Sequence, residues 1–597
     1  MERMNLFTNK EESSEALSGD NTPKENAKLN ENTKPKKITN QLPLAPIQDK
    51  EGNLTFELEG RTYSLNVNSE EERERVKEEV NTNVLAKYDW FKEDSGEKHW
   101  VLYNTKMYGI LNDLEYCIHC LMYLDDSNLI PIIPINATSC FNMFTRCRRL
   151  TQIDFSKFNT SNVVNMLRMF AENGNITQLD LSKFDTSRVT SMSLMFSGCE
   201  SLTQLDLSSF NTSQVTEMYE MFSDCESLTQ LNISNFDTSS VTAMFNMFSC
   251  CESLTQLDLS NFDTSKVTDI GGMFFYCSNL TSLNLSNFNT SQVTRMDYMF
   301  FNCKALIQLD LSNFNTSQVI RMDYMFSQCK SLIKLDFSNF DTSKVTVMKG
   351  MFDGCSKLIS LDLSKFDTSQ VTNMHKMFSC CESLIQLDLS NFNTRQVFDM
   401  YQMFYSCVNL THLDLSNFDT SKVINMSEMF SYCKALIQLD LNNFNTSKVT
   451  DMYSMFNTCL KLTLLDLSNF DTKQVTNMAA LFKNCQALAQ LNISNFDTSK
   501  VTEMYSMFSG CKSLTQLDFS NFDTSKVTAM RSMFATCKKL TTIYVSDKWN
   551  VNLINHSDDM FNGCHSLPNF NQEKTDVEMA KPIENGGYLT LKSRIVA

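Results

Sequence analysis

Cysteine is the residue type whose spacing in this chain could most directly support chemistry. Sixteen of the 21 cysteines occupy one position of a 26-residue repeat, from Cys147 to Cys564. If successive repeats stack about 5 Å apart, as strands of one sheet do, these thiols come within reach of disulfide or thiolate–metal chemistry. Asn173 occupies one of these positions, and it shares with cysteine a small size and hydrogen bonding to the backbone, but no redox or zinc chemistry. We therefore interpret the column as buried, reduced, structural thiols.

A second cysteine motif, Cys117-Ile118-His119-Cys120, is an isolated C-x-x-C. Zinc sites need a second pair of ligands, and the spacing to Cys140 and Cys147 is not diagnostic of one. We predict no metal and no cofactor at this motif.

Aspartates form another column, because the fifth residue of each repeat is Asp in twelve of fifteen units. The members that we single out as a candidate acidic face are Asp258, Asp310, Asp336, Asp362, Asp388 and Asp414. Carboxylates about 5 Å apart repel one another, which predicts raised pKa values. Three roles remain open: hydrogen bonding to neighbouring backbone, a face for cationic partners, and a calcium site. The unit lacks the glycines of calcium-binding β-rolls, so we favour the first role.

Aromatic residues depart from the repeat and are the candidate partner-binding residues. They lie beside the two methionines of each unit: Tyr298, Tyr324, Tyr401, Tyr405, Tyr453, Tyr505, Phe275, Tyr276 and Phe301. Exposed aromatic side chains concentrate at recognition surfaces, although these rings could equally lie flat as packing. Lys334, His412 and Leu464 interrupt a row of glutamines and suggest a second patch.

Catalysis has little support in the sequence. The six histidines are scattered, and none recurs beside a serine or cysteine at a useful spacing. No glycine-rich phosphate loop is present. We predict that the protein is not an enzyme.

The elements that position these residues follow from the repeat L-T-Q-L-D-L-S-N-F-[DN]-T-S-x-V-T-x-M-x-x-M-F-x-x-C-x-x, which starts at Leu150 and recurs to Leu514. L-T-Q-L-D-L is a short strand that points Leu309 and Leu311 inward and Gln308 and Asp310 outward. V-T-x-M-x-x-M-F-x-x-C has helical spacing and predicts a short helix, although Val-Thr could also be a second small strand. No unit can bury its apolar face alone, so the units must stack, with Leu on Leu, Phe on Phe and Met on Met. The predicted fold class is an α/β repeat solenoid with one parallel strand and one short helix per coil.

The rest of the chain divides around this array. Residues 1–40 are polar and predict a disordered leader. Residues 41–139 predict a small α/β head that caps the array, with a hairpin around Glu59-Gly60 and a helix that starts at Ser69. The solenoid covers residues 140–570, and residues 571–597 form a C-terminal cap in which Asn585-Gly586-Gly587 precedes a hairpin or a last strand.

Charge and hydropathy limit the partners and the location. A net charge of −17 lacks the basic surface that nucleic acid requires. No stretch approaches the roughly 18 apolar residues of a membrane span. The N-terminus shows no signal peptide, lipobox or sorting motif, so we expect a soluble protein that does not use the general secretory route.

L-x-x-L-D-L-S together with M-F-x-x-C-x-x-L resembles the BspA-like leucine-rich repeats. F-[DN]-T-S-x-V-T-x-M-x-x-M-F is similar to the 26-residue bacterial surface-protein repeat of the DUF285 group. The resemblance implies a leucine-rich-repeat-type solenoid, adhesion or host contact at a bacterial surface through a protein or cell-surface ligand, and no enzyme. A scaffold inside cells, or a host-directed effector without a cleaved signal, is the alternative.

Overall fold

The structure is a computed structural model that describes residues 47–48, 53–58, 61–66, 138–147, 151–155 and 158–592. The predicted leader at 1–40, the helix from Ser69 and the C-x-x-C motif lie outside the described residues. Within the head, three strands form an antiparallel sheet in the order β1-β2-β3. Their bounds are Ile47–Gln48, Asn53–Leu58 and Arg61–Asn66. The hairpin around Glu59-Gly60 is therefore present, but the described head holds only strands, so an α/β cap is not supported.

The array is a β-solenoid whose coils pair in parallel. A continuous ladder of single-residue bridges joins positions 26 residues apart from Ser139 to Ala529, and the last bridge connects Ala529 to His556. A second ladder, on the L-T-Q-L-D-L segment, is regular only toward its two ends. Its strands are β4 (Gln204–Asp206), β5 (Gln230–Asn232), β6 (Leu464–Asp466), β7 (Gln490–Asn492), β8 (Gln516–Phe519) and β9 (Thr542–Val545). Consecutive 26-residue units thus lie one on the other, as the repeat predicts.

The predicted helix in each coil was wrong. In the coil that contains Val319, alternate N–H groups, those of Met322, Tyr324, Phe326 and Gln328, donate to carbonyls of the next coil at 2.6 to 3.2 Å. The N–H groups of Met325 and Ser327, between them, donate to carbonyls three residues back in the same coil. Tyr324 and Gln328 have φ angles of 54° and 61°, in the left-handed region, so the segment is a series of turns.

The reason is the distance between coils. An α-helix is about 10–12 Å wide with its side chains, whereas hydrogen-bonded strands lie about 4.8 Å apart. The continuous ladder passes through this very segment, at Arg321 and Val347, so one helix per coil cannot stack there. Among the described residues, helical turns are limited to two 3₁₀ segments, Val577–Met579 and Ile583–Asn585. None of the described helices has the length and apolar character needed to cross a bilayer.

The residues of the supposed helical face do form the core. Val319, Met322, Met325, Phe326 and Cys329 are all fully buried. From Phe144 to Phe561 the phenylalanines of M-F stack coil on coil, with ring centroids 5.4 to 6.0 Å apart. The strand predictions also hold, since Leu309 and Leu311 are buried while Gln308 and Asp310 are exposed.

A buried column of threonines joins the coils through side-chain hydrogen bonds. The Thr316 hydroxyl donates to the carbonyl of Asp341 at 2.8 Å and accepts from the N–H of the same residue at 2.8 Å. Thr290 makes the same pair of bonds with Asn315, at 2.9 and 2.8 Å. Each hydroxyl thus satisfies both backbone groups of one residue in the next coil.

A short last strand closes the array at its C-terminal end. The sequence predicted either a hairpin or a last strand there, and the structure has the strand. β10 (Thr590–Leu591) pairs in parallel with β9. The buried ring of Tyr588 packs on Phe561, with ring centroids 5.3 Å apart, and so covers the last ring of the phenylalanine column.

Candidate functional site

The cysteine column is structural, as the sequence predicts. From Cys199 to Cys564 the thiols donate to the carbonyl of a phenylalanine in the preceding coil, at 2.9 to 3.3 Å. The described cysteines are free, and all but Cys380 are buried. Burial raises the pKa of the Cys329 thiol to about 12, so the thiolate needed for redox or metal chemistry does not form near neutral pH.

Asn173 shows why a non-thiol can occupy this column. Its Nδ2 donates to the Phe144 carbonyl at 2.6 Å, the same relation that Cys199 has to Phe170. Hydrogen bonding to the preceding coil is therefore the property that the position requires. In the described part of the chain, no group of three or more His, Cys, Asp or Glu side chains is placed to hold a metal ion.

The aspartate column hydrogen-bonds to its own backbone. In Asp258, Asp310, Asp336, Asp362, Asp388 and Asp414, one carboxylate oxygen accepts from the N–H of the serine two residues later, at 2.9 to 3.0 Å. This bond holds the pKa of each carboxyl below its ordinary value. The prediction that mutual repulsion raises these pKa values was wrong, because the local hydrogen bond outweighs repulsion between fully exposed carboxylates. The column remains an exposed row of negative charge.

The candidate aromatic residues occupy different positions of the turn segment. Tyr298 and Tyr324 lie two residues after the first methionine, where φ is positive, whereas Tyr401, Tyr453 and Tyr505 lie one residue after it. The structure therefore separates them into groups. Sequence analysis missed Tyr219 and Phe245, which also lie one residue after the first methionine. Their rings stack with centroids 4.8 Å apart.

The first group is a continuous cluster, which we call the aromatic patch: Phe275, Tyr276, Tyr298, Phe301 and Tyr324. Its rings come from three consecutive coils, and the closest centroid distances are 4.7 to 5.1 Å. Phe275 is buried, while the other four rings are half-buried. The patch therefore combines packing against the array with a partly exposed surface.

Two ion pairs that the sequence analysis missed border the aromatic patch. Arg295 donates to both carboxylate oxygens of Asp297 at 3.0 and 2.8 Å, and Arg321 does the same with Asp323 at 3.0 and 2.9 Å. The two carboxylates are almost completely buried, whereas the arginine side chains remain 47% and 41% exposed. The available signal was the sequence R-M-D-Y, which occurs in these two consecutive coils alone.

Tyr324 lies against the next coil in a space that glycine provides. A Cβ built on Gly350, whose φ is +60°, would overlap the Tyr324 ring. Lys349 Nζ lies 5.9 Å from the centroid of the same ring. Burial raises the pKa of Tyr324 to about 12, so its phenol remains a neutral hydrogen-bond donor at physiological pH.

The remaining candidates form smaller groups. Tyr405 contacts Tyr432, which the sequence analysis missed, with ring centroids 5.6 Å apart, and the Tyr401 hydroxyl donates to Glu428 at 3.2 Å. Tyr453 and Tyr505 lie two coils apart, with ring centroids at 6.5 Å. Beside Tyr505 is an open concavity of about 640 Å³, which Lys483, Glu503, Arg531 and His556 help to line. On the strand face, Lys334, His412 and Leu464 are exposed and lie several coils apart.

Comparison with protein families gives one match that recurs along the array. The family described as "Mycoplasma protein of unknown function, DUF285" matches residues 138–257, 229–306, 246–359, 276–387, 331–413, 348–464 and 460–576. These overlapping stretches cover about three quarters of the chain. A comparison with curated proteins gave no match.

Several solved structures show a distant similarity. The functional domain of InlJ from Listeria monocytogenes, described as including a cysteine ladder, is 16% identical, with 74% of each chain covered and a TM-score of 0.23. A leucine-rich cell surface protein from Faecalibacterium prausnitzii A2-165 is 16% identical, with 66% of this chain and 83% of that chain covered and a TM-score of 0.26. A chain of the Drosophila Toll–Spatzle complex is 15% identical, with 76% and 62% covered and a TM-score of 0.23. At these TM-scores, neither the shape nor the ligands of those proteins transfer to this chain.

Proposed function

Because the chain belongs to the DUF285 family, whose description assigns no function, we propose from its own surfaces that the array is a non-enzymatic binding and adhesion solenoid. It contacts a protein or a cell-surface ligand through the aromatic patch. The buried cysteine and threonine columns bond one coil to the next, whereas the aspartates bond within their own coil. These columns leave the variable positions of the turn segment free for recognition.

The observation that carries this proposal is the aromatic patch beside two ordered arginines. Tyrosine, phenylalanine and arginine are the residue types enriched at protein interfaces. Arg295 and Arg321 are already held by bidentate bonds to buried aspartates, so binding costs little of their side-chain entropy. A preformed surface of half-buried rings and fixed guanidinium groups suits a protein ligand.

The test is binding of the purified chain to an array of immobilised extracellular-matrix proteins and cell-surface glycoproteins. Tyr298→Ala combined with Tyr324→Ala removes two stacked rings of the aromatic patch, and we expect binding to fall at least about tenfold. Tyr219→Ala combined with Phe245→Ala is the matched control, because it removes another stacked pair from the same segment of other coils.

Melting curves of both variants check that the fold is retained. If the Tyr298/Tyr324 variant binds as the unaltered chain does, the aromatic patch is not the contact surface. Equal losses in both double variants would show a general effect of ring removal and would also contradict the proposal. Tyr401→Ala is measured separately, since Tyr401 lies outside the patch.

A further inference from the structure

One exposed column of the array changes character in its middle. The column is the second residue of each L-T-Q-L-D-L strand, which is threonine in most coils. The hydroxyls of Thr203, Thr229, Thr281, Thr411 and Thr541 each donate to the carbonyl of the same column one coil earlier, at 2.9 to 3.5 Å. Threonine at this position therefore adds one hydrogen bond between coils.

Five coils carry isoleucine in this column, and we call them the isoleucine row: Ile307, Ile333, Ile359, Ile385 and Ile437. Backbone bonds keep neighbours in register, as the Ile333 N–H donates to the Ile307 carbonyl at 3.2 Å. The five side chains are 41% to 60% exposed. Isoleucine lacks the threonine hydroxyl, so it does not make this hydrogen bond between coils, and it exposes aliphatic surface to water. Four of the isoleucines lie on consecutive coils, and Thr411 separates Ile437 from them. An exposed apolar row of this kind is typical of a contact surface.

Exposed charges of opposite sign lie on the two sides of the isoleucine row. Three residues after the isoleucines come Asp310, Asp336, Asp362, Asp388 and Asp440. Before the isoleucines come Lys304, Lys330 and Lys434, each by three residues, and Lys357, by two. A strand advances about 3.3 Å per residue, so the aspartates lie roughly 10 Å from the row. The lysines lie in the turn that precedes the isoleucines. Two residues depart from this pattern: Glu382 stands on the lysine side, and Lys334 stands between the row and Asp336.

We propose that this face pairs with the same face of a second copy of the chain, about a two-fold axis parallel to the isoleucine row. That rotation sets row against row and exchanges the two borders, so that Lys330 of each copy faces Asp336 of the other. Each contact then occurs twice, as in any isologous interface. A two-fold axis across the row would set lysine against lysine, and so the charges select the parallel arrangement.

The size of the face predicts a weak dimer. Five coil steps of about 4.8 Å and a width of about 20 Å give on the order of 500 Å² per copy, at the lower limit for a specific interface. The net charge of −17 opposes association, but salt at physiological strength screens charges beyond about 8 Å. The isoleucines and charges on the face itself therefore determine whether two copies associate. We expect a dissociation constant in the micromolar range.

Sedimentation equilibrium of the full chain, from about 1 to 200 μM, measures this dimer directly. Ile333→Thr combined with Ile359→Thr restores the chain's own threonine at both positions and removes four half-exposed isoleucines from the interface. We expect the dimer to weaken about ten- to thirtyfold. Ile320→Thr combined with Ile424→Thr is the matched control, because these residues are 46% and 47% exposed and lie on the other ladder. That control leaves the dimer unchanged.

A gain of affinity provides the sharper test. In the proposed pairing, Glu382 faces Asp388 of the other copy, so Glu382→Lys turns a repulsion into an attraction and tightens the dimer several-fold. A chain that stays monomeric at 200 μM overturns the proposal. So does a Glu382→Lys variant that dimerises no more tightly than the unaltered chain, or an Ile333/Ile359 variant that dimerises as tightly as the Ile320/Ile424 control. The variants share no residue with the aromatic patch, so failure of the dimer leaves the proposed ligand contact standing.

Discussion

Removal of one buried hydroxyl from the threonine column tests how the coils are held together. Thr316→Val keeps the shape of the side chain but deletes the hydroxyl that donates to the Asp341 carbonyl and accepts from its N–H, both at 2.8 Å. Thr316 is 1% exposed. Two neutral hydrogen bonds of this kind, with both backbone groups left short of a partner, amount to about 2 kcal/mol. Exchange of amide hydrogens that depends on opening between these coils should then be roughly thirtyfold faster.

Hydrogen exchange resolved by peptide is the suitable assay, because long repeat arrays can unfold in parts and a single transition can hide a local effect. Thr216→Val is the matched control. Its hydroxyl donates at the solvent-exposed face, at 3.3 Å, and the same column carries isoleucine at 320. We expect a change of less than about 0.5 kcal/mol there. If the peptides around Thr316 and Asp341 exchange no faster in Thr316→Val than the corresponding peptides do in the control, the threonine column does not hold the coils together.

Three further predictions concern the thiols, the aspartate column and the ion pairs. In a variant that lacks Cys117 and Cys120, an aromatic disulfide reagent should react with Cys380 first, because it is the one described cysteine that is not buried. The buried thiols should react only after denaturation, because the reagent cannot reach them in the folded protein; rapid reaction of all thiols in the folded protein would contradict the buried column. The backbone hydrogen bond lowers the pKa of the Asp336 carboxyl in the folded protein. The stabilisation from this ionised carboxylate is therefore present above the unfolded pKa of about 3.9 and is lost as pH falls through the folded pKa. Asp336→Asn should make urea resistance fall less steeply below about pH 4, and an unchanged pH profile would refute this. Arg321→Gln leaves a buried carboxylate without its bidentate partner and should cost about 2–3 kcal/mol, less than for a fully buried pair because the arginine is 41% exposed. Hydrogen exchange of the peptides around Asp323 measures this loss, and a loss below about 0.5 kcal/mol would show that the pair is not structural.

The periodicity of the sequence identifies which residues face the core, but not how their backbone is paired. Val319, Met322 and Phe326 are buried as predicted, although no helix carries them. The spacing of a helix and that of this series of turns select the same side chains. What differs is the partner of alternate N–H groups, which in this chain is a carbonyl one coil away. A single repeat contains no information about that partner, and so only the stacking of coils decides between a helix and a series of turns.

The sequence by itself determines the columns, because a strict 26-residue repeat in stacked coils places like on like: phenylalanine on phenylalanine, and Asn173 among the cysteines. Tertiary structure alone decides what the variable positions do. Tyr298 and Tyr401 look alike in the repeat, yet a shift of one residue across a left-handed turn places the first in a cluster of rings and the second beside Glu428. The physical reason is that these contacts form between coils, where backbone direction at each turn, rather than residue type, sets which side chains meet.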